Sequence, residues 1–187
     1  MSLCVFRASS GQEFRIGNTI PTIEEAAVAA SRICRYAGRT KIYWSVLIHS
    51  LIVSDICDSP IEKFYALFHD SATESILNDI LHGLKDSDIK ELEFFVYCKT
   101  LNKWKLPLPD EETKARIHDA DVQAYLGEIK TVAPDGHFLQ YNKRIPKSIE
   151  RLTRKYMRWS DRPGRERREV REFLKRFYRL RREAFGF

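Results

Sequence analysis

Apolar residues recur along this chain at three- and four-residue spacing, the pattern of helices with one face turned inward. The first such stretch follows Thr22 and Glu25, spaced so that hydroxyl and carboxylate can satisfy the free N–H groups of a helix start. It predicts a helix through Ala26, Ala30 and Ile33 to about Tyr36, ended by Gly38. A second helix is predicted from about Ile42 to Cys57, with Val46, Leu47, Leu51 and Val53 as its periodic apolar positions and His49 within it. Ser59, Pro60 and Glu62 then supply an N-cap, a proline at the first helical position and a capping glutamate. The third helix should run from Ile61 to about Ala72 and carry His69 and Asp70 at its end. Asp88 to about Leu101 is periodic again, with Ile89, Leu92, Phe95 and Val96 as its expected buried face. Asp110 caps a helix bearing Ile117, Asp121, Tyr125 and Ile129, and two more helices are expected near Ser148–Trp159 and Arg165–Ala184, separated by SDRPG. The lead up to Pro21 is read as extended, with turns at Gly11 and Gly17-Asn18, and no strand pair, internal repeat or low-complexity block stands out. The fold class expected is all-α: one compact helical domain, with residues 1–146 as its core and 147–187 as a basic helical extension packed on that core or on a dimer partner.

Composition supports a folded chain. Hydrophobic residues make up 43% of the 187 positions, enough apolar surface to offset ordering entropy. Ile42 to Ile56, the longest apolar candidate, is broken by Ser45, His49, Ser50, Ser54 and Asp55, so no membrane span is expected. The N-terminus lacks the basic start and long apolar stretch of a secretory signal, which points to a cytoplasmic protein. Cys4, Cys34, Cys57 and Cys98 form no CxxC pair and read as small buried hydrophobes rather than zinc ligands. The net charge of +6 is unevenly placed: residues 147–187 hold 15 Lys/Arg against 6 Asp/Glu. Such a tail can bind nucleic acid or another polyanion, and it has equally the composition of a salt-laced helix facing water. In the last helix Val170, Phe173, Leu174 and Phe177 make an apolar stripe that must cover the domain or a second subunit. Tyr43, Trp44, Phe64, Tyr65, Phe94 and Phe95 are read as core rather than as a stacking platform for bases.

The candidate chemistry lies in histidine and aspartate. Imidazole and carboxylate together bind a divalent cation at neutral pH, and four such ligands on a six-coordinate ion leave two positions for water and substrate. His69-Asp70 in ALFHDSA is the local signal, and a second dipeptide of the same kind, His118-Asp119, shows how weak it is alone. Order strengthens it: an isolated histidine in a helix, then His-Asp at a helix end, then an aspartate inside a third helix, supplied by His49, His69, Asp70 and Asp121. His118, three residues before Asp121, shares its helix face and can support the site, whereas His82 and His137 read as loop residues.

That order, with its surroundings, resembles the HD phosphohydrolase superfamily. RICRYAGRTKIYWSVLIHSLIVSDI is similar to the segment leading to the first ligand in HD-type 5'-nucleotidases and related phage nucleotide hydrolases. FYALFHDSATESILNDILHGLK resembles their His-Asp segment, and IHDADVQAYLGE resembles the helix with their last ligand, where the metal aspartate falls in an Ala-Asp pair, matching Ala120-Asp121 rather than Asp119. The likeness extends over about residues 10–130. It implies one divalent metal ion (Mn, Co, Zn, Mg or Fe) on His49, His69, Asp70 and Asp121, catalytic acids at Glu74 and Asp79, and phosphate contacts from Arg35 and Lys85. The chain departs from the family where Thr73 takes the place of a glutamate. Glu74 and Asp79 keep the family's five-residue interval, as a one-residue insertion would produce, and Arg39 and Ile48 replace residues typical of the phage members.

The implied activity is a metal-dependent phosphohydrolase acting on deoxynucleotides, a 5'-deoxynucleotidase releasing phosphate from a dNMP. The alternative is a dNTP triphosphohydrolase releasing tripolyphosphate, and the lesser one a nucleic-acid-binding protein or nuclease using the basic tail. The family's dimers imply a homo-oligomer, and its phage members imply host cytoplasm as a possible location.

Overall fold

The computed structural model describes residues 5–7, 11, 13–15, 19–80, 85–134 and 145–186. The fold is all-α, with one addition that the sequence pattern did not announce: Val5–Arg7 (β1) pairs antiparallel with Glu13–Arg15 (β2). Three-residue strands are too short to show an alternating period.

The helices are α1 Ile23–Arg32, α2 Val46–Ile56, α3 Pro60–Ala66, α4 Ser71–Leu77, α5 Ser87–Lys103, α6 Glu111–Val132, α7 Lys147–Ser160 and α8 Arg165–Phe185. Their starts follow from side chains written in the sequence. Thr22 with Glu25, and Ser59 with Glu62, form complete capping boxes, while Ser45, Asp86 and Asp110 each accept a hydrogen bond from the backbone three residues on. Their ends differ from expectation. α1 stops at Arg32, because Cys34 bridges to Ser45 and residues Arg35–Gly38 form a 3₁₀ turn instead of a last helical turn. α2 starts at Val46 rather than near Ile42, with Ser45 as its cap.

α2 is the buried axis of the molecule. Val46 through Ser54 are all buried, and α1, α3, α6, α7 and α8 pack around them. A helix enclosed on every side needs no polar face, which is why α2 reads apolar almost throughout. α5 is the opposite case. Val96, Thr100 and Leu101 are its buried residues, whereas Leu92, Phe94 and Phe95 are about half exposed, so the buried face expected from Ile89, Leu92, Phe95 and Val96 is misplaced. Apolar spacing marks a stripe without saying whether anything covers it. Of the aromatics read as core, Trp44, Phe64 and Tyr65 are buried, while Tyr43, Phe94 and Phe95 are exposed. Among the cysteines, Cys57 is buried and Cys34 and Cys98 only partly so.

The basic tail packs on the domain. Phe173, Phe177 and Leu180 of α8 are buried, with Val170 and Leu174 packed alongside. Phe177 lies 5.2 Å from the Phe64 ring and 6.1 Å from the Phe68 ring of the segment around α3. A polar clasp fixes the same helix: Arg176 Nη1 donates to Asp55 Oδ1 of α2 at 2.6 Å, and the Tyr156 hydroxyl of α7 donates to Asp55 Oδ2 at 2.8 Å. Arg167, Arg171, Lys175, Arg179 and Arg182 face outward from α8. No helix among the described residues is long and apolar enough to cross a membrane.

Because Phe177 packs α8 onto α3, Phe177→Ala should destabilise the protein by about 3–5 kcal/mol in urea unfolding. Lys175→Ala, on the outer face, should change stability by less than ~0.5 kcal/mol. Equal effects from the two would show that α8 does not complete the core.

Candidate metal centre

Three stretches of chain bring His49, His69, Asp70 and Asp121 together, their ligand atoms all within 4.8 Å of one another. His49 comes from the middle of α2 and is fully buried. His69 and Asp70 sit in a turn between α3 and α4, not at the end of a continuous helix as expected. After Ala66 the backbone tightens to three-residue hydrogen bonds, Leu67 N–H to the Phe64 carbonyl and Phe68 N–H to the Tyr65 carbonyl. On a regular helix adjacent side chains diverge by ~100°. In this turn, outside the regular helix, His69 Nε2 and Asp70 Oδ2 nevertheless lie 3.3 Å apart.

The distances suit a shared ion. His49 Nε2 lies 2.9 Å from Asp121 Oδ1 and 3.4 Å from Asp70 Oδ2, while His69 Nε2 lies 3.3 Å from Asp70 Oδ2 and 3.9 Å from Asp121 Oδ1. Ligands ~2.1 Å from a cation stand ~3 Å apart at right angles and ~4.2 Å apart when opposed. The ring nitrogens on the far side are both committed. His49 Nδ1 is 2.8 Å from Glu128 Oε1 and His69 Nδ1 is 2.8 Å from the Ala66 carbonyl oxygen. A carboxylate and a carbonyl only accept, so both Nδ1 atoms donate, and each Nε2 faces carboxylate oxygens, with a lone pair whenever the ring is neutral. Both Nε2 atoms are buried without a hydrogen-bond partner. Lone pairs so close repel unless a cation or a proton lies between them, and the group could therefore hold a metal ion.

Electrostatics point the same way. Burial and the Arg35 charge oppose protonation of His49, yet Glu128, Asp121 and Asp70 outweigh them and raise its pKa well above the usual imidazole value. His69 is raised too, Asp70 and Asp121 overcoming its burial. Burial likewise opposes ionisation of Asp70 and Asp121, and the two imidazoles prevail, holding both carboxylates below their usual range. The cluster draws positive charge into itself. Its open side is carried by Asp70 and Asp121, whose side chains are 27% and 33% exposed.

That side opens into a cavity of about 730 Å³ lined by Arg35, Tyr36, Arg39, Asp70, Glu74, Asp79, Lys85, His118, Asp121 and Tyr125, with Ile80, Val122, Ile129 and Pro134 as apolar wall. Every residue assigned to the site from the sequence lines this cavity or stands in the cluster behind it. Arg35 is buried, its Nη1 3.2 Å from Asp70 Oδ2. Glu74 is 4% exposed and its Oε2 has no partner. Burial, with Asp70 and Asp79 nearby, pushes the Glu74 carboxyl up to about 9 against the opposing pull of Arg35 and His49. Asp79 Oδ2 accepts the Tyr36 N–H at 3.2 Å, and Lys85 Nζ pairs with Glu93 at 2.7 Å. His118 is exposed at the cavity wall, Asp119 is exposed and outside the cluster, and His82 and His137 lie outside the described residues.

Glu128 and Tyr36 received no role from the sequence. Glu128 lies seven residues beyond Asp121 on α6, two turns along the same face, and that spacing is the signal that could have found it. The adjacent Gly127 lets α7 close over this point, since a Cβ there would meet Thr153 Oγ1 at 2.7 Å and Ile149 Cγ2 at 2.9 Å. The Tyr36 hydroxyl donates to Glu128 Oε2 at 2.6 Å. Tyr36 reaches it from a turn in which Tyr36, Ala37 and Gly38 have φ of 58°, 52° and 74°, three left-handed residues in succession.

Compared with known proteins, the chain matches no family model. It is similar to the uncharacterized protein YfdR of Escherichia coli strain K12, with 34% identity over 103 residues, which cover 52% of this chain and 57% of that relative. The chain thus spans just over half the length of the relative it matches, and the likeness assigns no activity.

Purified protein should take up one equivalent of Mn²⁺ or Co²⁺ in calorimetry, and His69→Ala and Asp121→Ala should abolish that uptake. Since the raised imidazoles must release protons to ligate, affinity should fall as the pH is lowered from 8 to 6. Uptake that survives both substitutions would place the cation elsewhere.

Proposed function

We propose that this chain is a divalent-metal-dependent phosphohydrolase of the HD type, acting on deoxynucleotides and most simply releasing phosphate from a 5'-monophosphate. The observation that carries the reading is the convergence of two imidazole nitrogens and two carboxylates at the floor of a cavity whose walls supply Arg35, Arg39 and Lys85. The sequence resemblance to HD-type nucleotidases supplies the substrate class.

His49, His69, Asp70 and Asp121 would hold the cation. When bound, it supplies Lewis-acid stabilisation of a phosphoryl oxygen and activation of water near neutral pH. The remaining work falls to the chain. Arg35, placed beside Asp70 at the cavity wall, presents a guanidinium to phosphate oxygens. Lys85, paired with Glu93, is a second candidate on the cavity wall for contact with phosphate. Glu74 is positioned to hold a proton in a dry corner of the cavity and deliver it to the leaving alkoxide, a contribution of ~10²–10⁴-fold. Asp79 secures the backbone of the Tyr36 turn and faces the same cavity, where it can orient a water molecule. The apolar wall of Ile80, Val122 and Ile129, with the Tyr36 and Tyr125 rings, suits the sugar and base.

Arg39 favours a second reading. It is an exposed cation on the cavity wall, and a triphosphate would reach further along that wall than a monophosphate. The triphosphohydrolase therefore stands beside the nucleotidase, with tripolyphosphate as its product.

Assayed with Mn²⁺ or Co²⁺ across the four dNMPs and dNTPs, the protein should release inorganic phosphate from a monophosphate. Glu74→Gln should lower kcat by ~10²–10⁴-fold while metal uptake persists. Release of tripolyphosphate instead would select the second reading, and no release with any of these cations would end both.

A further inference from the structure

We propose that Glu128 is a positioning residue for the cation site, locking His49 with Nε2 turned inward, and that the left-handed turn at Tyr36 holds Glu128 in place. The inference rests on the reading of the histidine–aspartate cluster as a cation site, and goes beyond the four ligands to what makes one of them competent.

An imidazole with no partner on Nδ1 can carry its proton on either nitrogen and can turn about its Cβ–Cγ bond. In the wrong tautomer the inward nitrogen bears a proton and ligates nothing. Glu128 removes both freedoms. It is fully buried, and its Oε1 lies 2.8 Å from His49 Nδ1. Its second oxygen is also committed: the Tyr36 hydroxyl donates to Oε2 at 2.6 Å, so the carboxylate cannot swing away from the ring.

Glu128 also lies beside the Arg35 charge, but its two closest contacts are to His49 and Tyr36. Arg35 Nε stands 3.5 Å from Glu128 Oε2, longer than either hydrogen bond to that carboxylate and longer than the 3.2 Å from Arg35 Nη1 to Asp70. The Tyr36 turn has its own support. Asp79 accepts the Tyr36 N–H at 3.2 Å, and Arg35 N–H donates to the Trp44 carbonyl at 2.8 Å, tying the turn to the residues that enter α2. A backbone conformation that side-chain-bearing residues rarely adopt is thus held from both ends, and it delivers one hydroxyl to one carboxylate. The line of contacts runs from the cavity wall to the cluster that would hold the cation: Tyr36, Glu128, His49.

The test uses the full chain and Co²⁺ as probe, followed by visible absorption and calorimetry, with thermal melting of the metal-free protein as the measure of folding. Glu128→Gln should bind Co²⁺ on the order of 10–100-fold more weakly than the wild type, and Tyr36→Phe should weaken binding in the same direction by less. Nitrogen-15 spectra of the histidine-labelled, Zn²⁺-loaded wild type should show His49 protonated at Nδ1 and ligated through Nε2, a readout that stands even if Glu128→Gln fails to fold. Wild-type Co²⁺ affinity in a folded Glu128→Gln, or ligation of His49 through Nδ1, would overturn the positioning role alone. A wild type that takes up no cation would overturn the cation-site reading, and this inference with it.

Discussion

The arrangement depends on one electrostatic constraint. Asp70 and Glu128 lie beside a single guanidinium, Arg35, and Asp121 joins them as a third carboxylate around the two imidazoles behind the cavity. With both imidazoles neutral, this leaves two negative charges on groups that are wholly or largely withdrawn from water. Carboxylates removed from water without partners are strongly unfavourable, so such a group must gather protons or a cation. The upward shift of both imidazoles and the downward shift of both aspartates express that demand as protons. A divalent cation meets it without protonating the ligands, which is why the donor set fits one.

The fold serves this constraint through α2. A helix enclosed by its neighbours gives His49 a rigid, dry mounting, and the capping boxes that start α1 and α3 fix where the neighbouring segments turn. The tail belongs to that enclosure. Asp55, three residues beyond Ile52 on α2, is clasped by Tyr156 and Arg176, so the basic helices are part of what holds the His49 helix still.

Much of this was legible in the chain, for identifiable reasons. The helix starts were readable because capping depends on residues three apart, and Thr22/Glu25, Ser59/Glu62 and Asp110 behave as that chemistry requires. The four candidate ligands were readable because histidine and aspartate in that order are uncommon, and the structure brings them together. The turn carrying His69-Asp70 was not, because the buried Phe64, Leu67 and Phe68 keep helical intervals across the point where the helix ends. The exposed side of α5 was missed for a related reason: periodicity orients a helix and cannot show what covers it. Glu128 escaped because its partner, His49, is 79 residues away, and only the packing of α6 on α2 makes the pair.

The central claim is that the four side chains share one ion, and anomalous diffraction at the zinc edge from crystals soaked in Zn²⁺ addresses it directly. The account predicts a single strong peak about 2.0–2.2 Å from His49 Nε2, His69 Nε2 and an oxygen each of Asp70 and Asp121. A cluster without a peak, or zinc bound only at other residues, would contradict it.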